Sequence, residues 1–256
     1  MADPYVKTRN AMYGTLFQNI QFVHMTGSTN EDAVRFLGHA AAAGLTIVTN
    51  YQTSGTGRKG RSWVAPNGQS LLFSTILPMT FEPADLWIVP FWVGLCIYSA
   101  LKFRDIETQL QWPNDLLLQG KKVGGILCVS RGQGARAWVA CGVGINVHRT
   151  NDPGYATLDP PPAFIEDVNP MERSELLTAI LQQYETSTKL LDHPHLVPRR
   201  WEEAAKLKGT PYRILVDGEN EPFEGTAVRI AHSGALVLDV NGSERSVNLA
   251  DARVLR

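Results

Sequence analysis

The residues best suited to chemistry lie in one short segment, residues 51–63, with the sequence YQTSGTGRKGRSW. Glycines and cationic residues alternate within it: Gly55, Gly57, Arg58, Lys59, Gly60 and Arg61. Glycine lets the backbone adopt positive φ angles and approach a ligand closely, and clustered cations attract an anion. The segment is therefore predicted to be an anion-binding loop, called the glycine loop below.

The residues around the glycine loop exclude two known glycine motifs. The spacing of Gly55, Gly57 and Gly60 matches the dinucleotide fingerprint, but that motif must open a helix. Here a turn at residues 66–68 and a β-like segment follow. The P-loop motif needs Gly-Lys-Ser or Gly-Lys-Thr, which the sequence lacks. A solvated basic turn stays open as the alternative.

Composition limits the class of protein. A chain of 256 residues with 44% hydrophobic residues can form one substantial domain and a small second one. The formal net charge is −1, so the basic cluster is a local site, which argues against DNA as a partner. Cys96, Cys128 and Cys141 fit neither a disulfide framework nor a zinc site and indicate a reducing compartment.

Neither export nor a membrane span is expected. The N-terminal residues MADPYVKTRN lack the charged-then-apolar pattern of a signal peptide. The longest apolar segment, residues 86–100, contains Pro90 and is shorter than the ~18 to 20 residues that span a bilayer. The sequence therefore predicts a cytoplasmic protein in which this segment is a buried helix.

Hydrophobic periodicity predicts the elements that position the glycine loop. Strands are expected at residues 20–25, 45–51, 70–77 and 109–112. A Ser28/Glu31 capping box begins a helix that ends at Gly44. A second helix is expected over residues 84–104, and Ser174 caps a third. The predicted fold is α/β, with a mixed sheet backed by helices.

Two later predicted strands are poor in side chains. The first begins at Lys122 and contains Gly124 and Gly125; the second, residues 137–147, contains Gly142 and Gly144. Glycines inside strands indicate that backbone or ligand lies close against that face. These strands are therefore predicted to form the floor of one pocket.

The pattern changes at about residue 209 to short strands separated by turns. The turns are Asp217-Gly218, Ser233-Gly234 and Asn241-Gly242. So short a region cannot bury a large core alone, so we expect a small β-barrel docked on the main domain. The predicted domains are residues 1–208 and residues 209–256.

In this order the motifs resemble those of the biotin protein ligases, over nearly the whole chain. The matching segments are Ser28-Thr29-Asn30, residues 52–63, Trp112-Pro113-Asn114-Asp115, residues 122–127 and Gly142-Val143-Gly144-Ile145-Asn146. The resemblance implies a class II synthetase-like ligase domain followed by an SH3-like barrel. It also implies ATP-dependent activation of biotin to biotinyl-5'-AMP and transfer of biotin to a lysine of a biotin carboxyl carrier domain.

The resemblance implies a role for each matching residue. Lys122 would clamp the biotin carboxylate and α-phosphate, Arg58 would help cover the adenylate, and Asp115 would orient the incoming amine or hold Mg²⁺. The residues implied for biotin are Ser28, Thr29, Asn30, Gln52, Gly55, Thr56, Gly57, Arg58, Trp63, Lys122, Gly124 and Gly125. Those implied for ATP are Arg58, Lys59, Arg61, Trp63, Asn114, Lys122, Asn146 and Arg256.

Two alternatives and the oligomeric state stay open. A lipoate ligase or octanoyltransferase of the same fold would also use an acyl pocket and a lysine. The transferases need a cysteine nucleophile, and none of the three cysteines lies in a glycine-rich or basic setting that would lower its pKa. A non-catalytic biotin- or nucleotide-binding module would have no need of Lys122, Arg58 and Asp115. The sequence allows a homodimer.

Overall fold

The computed structural model of the chain describes residues 3–152, 155, 158 and 160–255. Its main sheet consists of β1 Ile20–Thr26, β2 Thr46–Gln52, β3 Ser70–Ile76, β4 Thr108–Gln111, β5 Asp115–Leu118, β6 Lys121–Gln133 and β7 Arg136–Asn146. The strand order is β1-β2-β3-β7-β6-β5-β4. β1 and β2 are parallel and the other neighbours antiparallel, which confirms the predicted mixed sheet.

The helices are α1 Val6–Ala11, α2 Thr29–Val34, α3 Ile88–Lys102, α4 Arg173–Ser187 and α5 Leu196–Ala205. The predicted buried apolar helix is α3, which packs against α4, α5 and the sheet. It begins at Ile88 rather than at residue 84, because a 3₁₀ turn, Pro83–Asp85, precedes it. Among the described residues, no helix combines the length and apolarity that crossing a membrane requires.

The two faces of the main sheet are covered unequally. One face packs on α3 and α4, and its side chains, Phe73 and Val143 among them, belong to the main core. The opposite face holds a smaller cluster formed with α2: Ala33, Leu37, Ala42, Leu45, Ile47, Ile76 and Ala140. Because α2 is short, it covers only part of this face.

Two predictions about helix ends were wrong. The helix after Ser28 ends at Val34, far short of Gly44, because Phe36 and Leu37 donate to the carbonyls three residues earlier instead of four. Gly38, with a φ of 94°, then takes the chain out of right-handed helical geometry. Ser28 takes the N-cap position, but its side chain makes no capping hydrogen bond and lines a cavity instead. Helix α4 is capped by Glu172 rather than by Ser174, because it begins at Arg173.

The C-terminal region forms a second, antiparallel sheet. Its strands are β8 Pro211–Val216, β9 Phe223–Ile230, β10 Leu236–Val240, β11 Ser243–Val247 and β12 Ala252–Leu255, in the order β11-β10-β9-β8-β12. This C-terminal sheet packs on the main domain: Trp112 Nε1 donates to the Gly234 carbonyl at 3.2 Å, and Ile214 and Leu236 belong to the main core.

Candidate active site

A cavity lies on the face of the main sheet that α2 covers only partly. It brings together residues from α2, the glycine loop and strands β2, β3, β6 and β7. Its lining is Ser28, Thr29, Asn30, Gln52, Thr56, Gly57, Arg58, Arg61, Ser62, Trp63, Leu72, Ser74, Asn114, Lys122, Gly125, Ile126, Leu127, Gly142, Val143 and Gly144. Most of the predicted site residues therefore converge on one place.

One end of the cavity is polar and uncharged. Thr29 and Asn30 are buried at the start of α2, and Gln52 ends β2. The backbone N–H of Thr29 donates to Gln52 Oε1 at 2.8 Å, and Asn30 Nδ2 donates to the Leu127 carbonyl at 2.9 Å. These bonds fix the side-chain amides, so this end offers an oriented set of hydrogen-bonding groups.

The other end is cationic because a β-bulge turns Lys122 into the cavity. Leu116 pairs with Gly124 but Leu117 pairs with Lys122, so β6 contains one extra residue at Val123. A bulge reverses the alternation of side chains, which places Lys122 on the same face as Gly125. Its Nζ lies 2.7 Å from Asp115 Oδ1 and 5.5 Å from the centre of the Trp63 ring.

The floor of the cavity depends on glycines, as predicted. A Cβ atom at Gly142 would lie 2.5 Å from Asn30 Nδ2, and one at Gly144 would lie 2.5 Å from Trp63 Cε2. Both approaches are too close for any other residue without displacement of the neighbouring side chain. Gly125 likewise faces Trp63 and Lys122.

The glycine loop closes one wall of the cavity and is tied to two turns of the C-terminal region. The Arg58 guanidinium donates to the Leu249 carbonyl and lies 3.5 Å from Asn114 Oδ1. Lys59 Nζ donates to Asp217 Oδ1 at 2.6 Å. Removal from water lowers the pKa of Arg58, and the nearby Asp115 carboxylate opposes this shift. The fold has partly removed the Arg58 cation from water, so an anion bound beside it would compensate for part of the lost hydration.

Some residues predicted to bind substrate lie outside the cavity lining. Gly124 faces the core, where an added Cβ would contact Ile145 and Leu116, because it precedes Gly125 on the strand and points to the opposite face. Gly55 supports the loop through its carbonyl, which accepts from the Trp63 backbone N–H at 2.8 Å. Their predicted contacts with biotin stay predictions.

Two of the residues predicted for ATP, Asn146 and Lys59, also lie apart from the cavity lining. Asn146 is buried two residues beyond Gly144 on the same face of β7, with Tyr155 Oη donating to its Oδ1 at 3.2 Å. Lys59 pairs with Asp217 of the C-terminal region, as given above. Arg256 lies outside the described residues.

Sequence reasoning missed Ser74, Leu72 and Leu127, which also line the cavity. Ser74 and Leu72 lie on β3 opposite Gly142 and Gly144 respectively. The signal for Ser74 was a small polar residue within a strand that is buried throughout. A buried serine on the same face as a glycine floor is a candidate for contact with a ligand.

Comparisons with known proteins identify the family of the chain. The model of the biotin/lipoate A/B protein ligase family matches residues 22–146. A biotin--[acetyl-CoA-carboxylase] ligase of Paracoccus denitrificans is 31% identical over 83% of this chain and 91% of that protein. The ligase of the same name from Mycobacterium tuberculosis is 27% identical over 95% of this chain and 91% of that protein.

Solved structures show the same fold. The biotin protein ligase from Aquifex aeolicus in complex with biotin and ATP superposes with a TM-score of 0.75. The alignment covers 94% of this chain and 100% of that chain at 22% identity. The chain therefore belongs to the biotin/lipoate A/B protein ligase family, among the biotin protein ligases.

Proposed function

We propose that this protein is a biotin ligase that activates biotin with ATP and transfers it to a specific lysine of a biotin carboxyl carrier domain. The observation that carries the proposal is the polarity of the cavity. An uncharged hydrogen-bonding end faces a cationic end formed by Lys122 and Arg58. This arrangement suits an acid with a polar ring at one end and a carboxylate at the other.

In the first step a carboxylate oxygen of biotin attacks the α-phosphorus of ATP, and pyrophosphate leaves. Negative charge accumulates around the α-phosphate during the attack, so a cation that is already in position stabilises the transition state more than the ground state. Lys122 is held in this way by Asp115 and by the Trp63 ring. Lys122 therefore acts as the electrostatic clamp.

In the second step the amine of the carrier lysine attacks the acyl carbon, AMP leaves and the amine loses a proton. The mixed anhydride must be protected from water before this step. Arg58 belongs to the glycine loop that forms one wall of the cavity, and we expect it to cover the adenylate. Asp115 lies beside Lys122, and we expect its carboxylate to orient the incoming amine.

Mg²⁺ is part of the proposal, with Asp115 and Asn114 as the residues that would hold it. Carboxylate and amide oxygens suit this ion. Among the described residues, no group of three His, Cys, Asp or Glu side chains could hold a metal ion. The ion would therefore need phosphate oxygens as further ligands, and when bound it would neutralise phosphate charge.

A thioester-forming acyltransferase is disfavoured by the cysteines. Burial raises the pKa of Cys96 to about 12, and burial together with the adjacent Cys128 raises the pKa of Cys141. Both groups stay protonated near neutral pH, whereas a nucleophile must be a thiolate. None of the three cysteines is among the residues lining the cavity.

Acid-dependent exchange of labelled pyrophosphate into ATP tests the proposal, with biotin, lipoate and octanoate assayed in parallel. Exchange with biotin alone is expected. Exchange driven by lipoate or octanoate in preference to biotin would identify a ligase for the other acids. Absence of exchange with every acid, together with calorimetric binding of biotin or ATP, would identify a non-catalytic binding module.

The remaining parts of the proposal concern partners and location. A carrier domain is the expected acceptor, and labelling of a purified carrier with biotin would test it. A homodimer is compatible with the proposal, and sedimentation at several protein concentrations would measure the oligomeric state. We propose a cytoplasmic location, in accord with cysteines that are free among the described residues. Fractionation of cells would test that location.

A further inference from the structure

The three cysteines, which the proposed mechanism does not use, meet on the core side of the cavity floor. Cys128 and Cys141 are directly opposite each other on β6 and β7. Burial raises the pKa of Cys141, and the thiol of Cys128 raises it further because the two side chains interact. Cys96 lies on α3, where its thiol is 3.1 Å from Ser187 Oγ. Cys128 and Cys141 are therefore the two cysteines placed to react with each other.

The hydrogen bonds of β6 and β7 bring the two cysteines as close as a sheet allows. The N–H of Ile126 donates to the Asn114 carbonyl at 3.0 Å, and its carbonyl accepts from Asn114 Nδ2 at 2.6 Å, so both groups point away from β7. This direction alternates along a strand, so those of Cys128 do the same. The Val139 carbonyl accepts from the residue after β3, so Cys141, two residues on, also bonds towards β3. Cys128 and Cys141 therefore form a non-hydrogen-bonded pair.

The spacing of such a pair permits a disulfide bond. Opposite Cα atoms of a non-hydrogen-bonded pair lie about 4.5 Å apart. Those of bonded cysteines lie about 4.4 to 6.8 Å apart. The pair is thus within the range but at its short end, and strained disulfides are reduced more readily than relaxed ones. A bond between Cys128 and Cys141 should therefore form and break reversibly.

The two thiols differ in their access to solvent. β5 pairs with β6 only as far as Gly125. Beyond that residue, Cys128 is half-buried and lines a cavity of about 320 Å³ between the start of α3 and residues 249–250. Cys141 is buried. The pair therefore combines a thiol that a small oxidant can reach with a second thiol that can react only with the first.

We propose that Cys128 and Cys141 are a redox modification site, which hydrogen peroxide converts to a reversible disulfide behind the cavity floor. Cys128 loses its proton and its sulfur attacks one peroxide oxygen; the O–O bond breaks, a sulfenic acid forms, and the other oxygen leaves as water with that proton. The Cys141 sulfur then attacks the Cys128 sulfur, and the S–O bond breaks. The hydroxide leaves with the Cys141 proton as a second water. Two thiols are thereby oxidised by two electrons, and one peroxide is reduced to two waters.

The disulfide should disturb the cavity floor, because the adjacent pair of the ladder belongs to it. Leu127 is opposite Gly142. The Leu127 carbonyl accepts from Asn30 Nδ2 at 2.9 Å, and a Cβ atom at Gly142 would lie 2.5 Å from the same nitrogen. Asn30 is thus held against both strands without spare room, so a shift of the strands on oxidation would displace it. In this step, which rests on the proposed function, oxidation weakens the binding of biotin.

The test exposes the whole chain to hydrogen peroxide, blocks the remaining thiols with iodoacetamide in denaturant, and maps tryptic peptides by mass spectrometry. Trypsin separates the three cysteines into residues 62–102, 123–131 and 137–149. We expect the second and third peptides to be linked, and dithiothreitol to remove the link. Cys96→Ala is the matched control and should form the same link, because Cys96 is not part of the pair.

Cys141→Ala tests the order of the two steps. Without the second thiol, the sulfenic acid of Cys128 should persist and be trapped by dimedone, whereas the wild type should give little adduct. If this variant does not fold, Cys128→Ser, at the half-buried position, replaces it and should form no link. Absence of the link in the peroxide-treated wild type, or a link from either cysteine to Cys96 instead, would overturn the modification site.

Calorimetry tests the effect on the floor. The oxidised wild type should bind biotin about 2- to 12-fold more weakly, the range that corresponds to the loss of one hydrogen bond. Dithiothreitol should restore the affinity, and peroxide should leave the affinity of Cys128→Ser unchanged. A mapped disulfide with unchanged affinity would overturn the effect on the floor. The peptide map needs neither biotin nor ATP, so failure of the proposed function is distinguishable from failure of the redox pair.

Discussion

Replacing Lys122 with alanine should slow activation of biotin by roughly 150- to 900-fold. The bulge in β6 places Nζ on the cavity wall, 2.7 Å from Asp115 Oδ1, so the cation is fixed before charge develops on the α-phosphate. Loss of one such preorganised donor costs about 3 to 4 kcal/mol of transition-state stabilisation, and about 1.4 kcal/mol corresponds to a tenfold change in rate.

The same substitution should lower the free energy of unfolding. The Asp115 side chain is only 14% exposed and would lose its ammonium partner. A partly buried charged group that loses such a partner costs about 1 to 3 kcal/mol. Lys122→Ala combined with Asp115→Asn should recover most of this stability without recovering the rate, because a neutral amide needs no counterion.

The assay is single-turnover formation of biotinyl-5'-AMP, at a temperature well below the unfolding transition of each variant. Lys121→Ala is the matched control, because Lys121 is the adjacent lysine of β6 and is exposed. Wild-type adenylation by Lys122→Ala would refute the clamp. A comparable loss in Lys121→Ala would show that net charge near the cavity matters and that the position of Nζ does not.

Further expectations concern the loop, the floor, the thiols and DNA. Arg58→Gly should still form the adenylate but release it, so that serum albumin becomes biotinylated alongside the carrier; labelling confined to the carrier would contradict this. Gly144→Ala should displace Trp63 and weaken the binding of biotin at least tenfold in calorimetry, which corresponds to about 1.4 kcal/mol. Unchanged affinity would show that the indole moves at no cost. Burial raises the pKa of Cys96 to about 12, so this thiol stays protonated at pH 8. Iodoacetamide at pH 8 should therefore modify the half-buried Cys128 before Cys96, as measured by mass spectrometry. Equal rates of modification at the two cysteines would refute the expectation. No footprint on DNA should survive non-specific competitor at physiological salt, given the net charge of −1.

Patterns with a short period were sufficient to predict the main sheet and the floor of the cavity. Gly142 and Gly144 are two residues apart, and residues with that spacing share one face of any regular strand. Their common face therefore required no knowledge of the partner strands, whereas the contacts that this face makes with Asn30 and Trp63 were seen only in the structure. The strands that flank the glycine loop were predictable for the same reason, because their β-branched and aromatic residues are local signals.

The position of Lys122 could not be predicted in this way. Strict alternation from Gly125 would place Lys122 on the core face, together with Gly124. Only the pairing with β5 creates the extra residue at Val123 that reverses the alternation. A bulge is a property of two strands, so the sequence of one strand does not contain it. The early end of α2 at Val34 was likewise absent from the sequence pattern, because the apolar residues keep helical spacing up to residue 41.

The predicted domain boundary at residue 208 separates two kinds of sequence pattern, but residues on both sides of it contribute to the site. Arg58 donates to the Leu249 carbonyl and Lys59 pairs with Asp217, so two turns of the C-terminal region hold two cations of the glycine loop. Arg58 has a lowered pKa because it is partly removed from water, and the Leu249 carbonyl is a neutral acceptor. A phosphate would replace that carbonyl with a charged acceptor, and charge-assisted hydrogen bonds are roughly twice as strong as neutral ones. Binding of the nucleotide should therefore draw Arg58 away from the Leu249 carbonyl and towards the adenylate. The exposed Lys59–Asp217 pair is a weak contact, so it should not prevent the glycine loop from moving with Arg58.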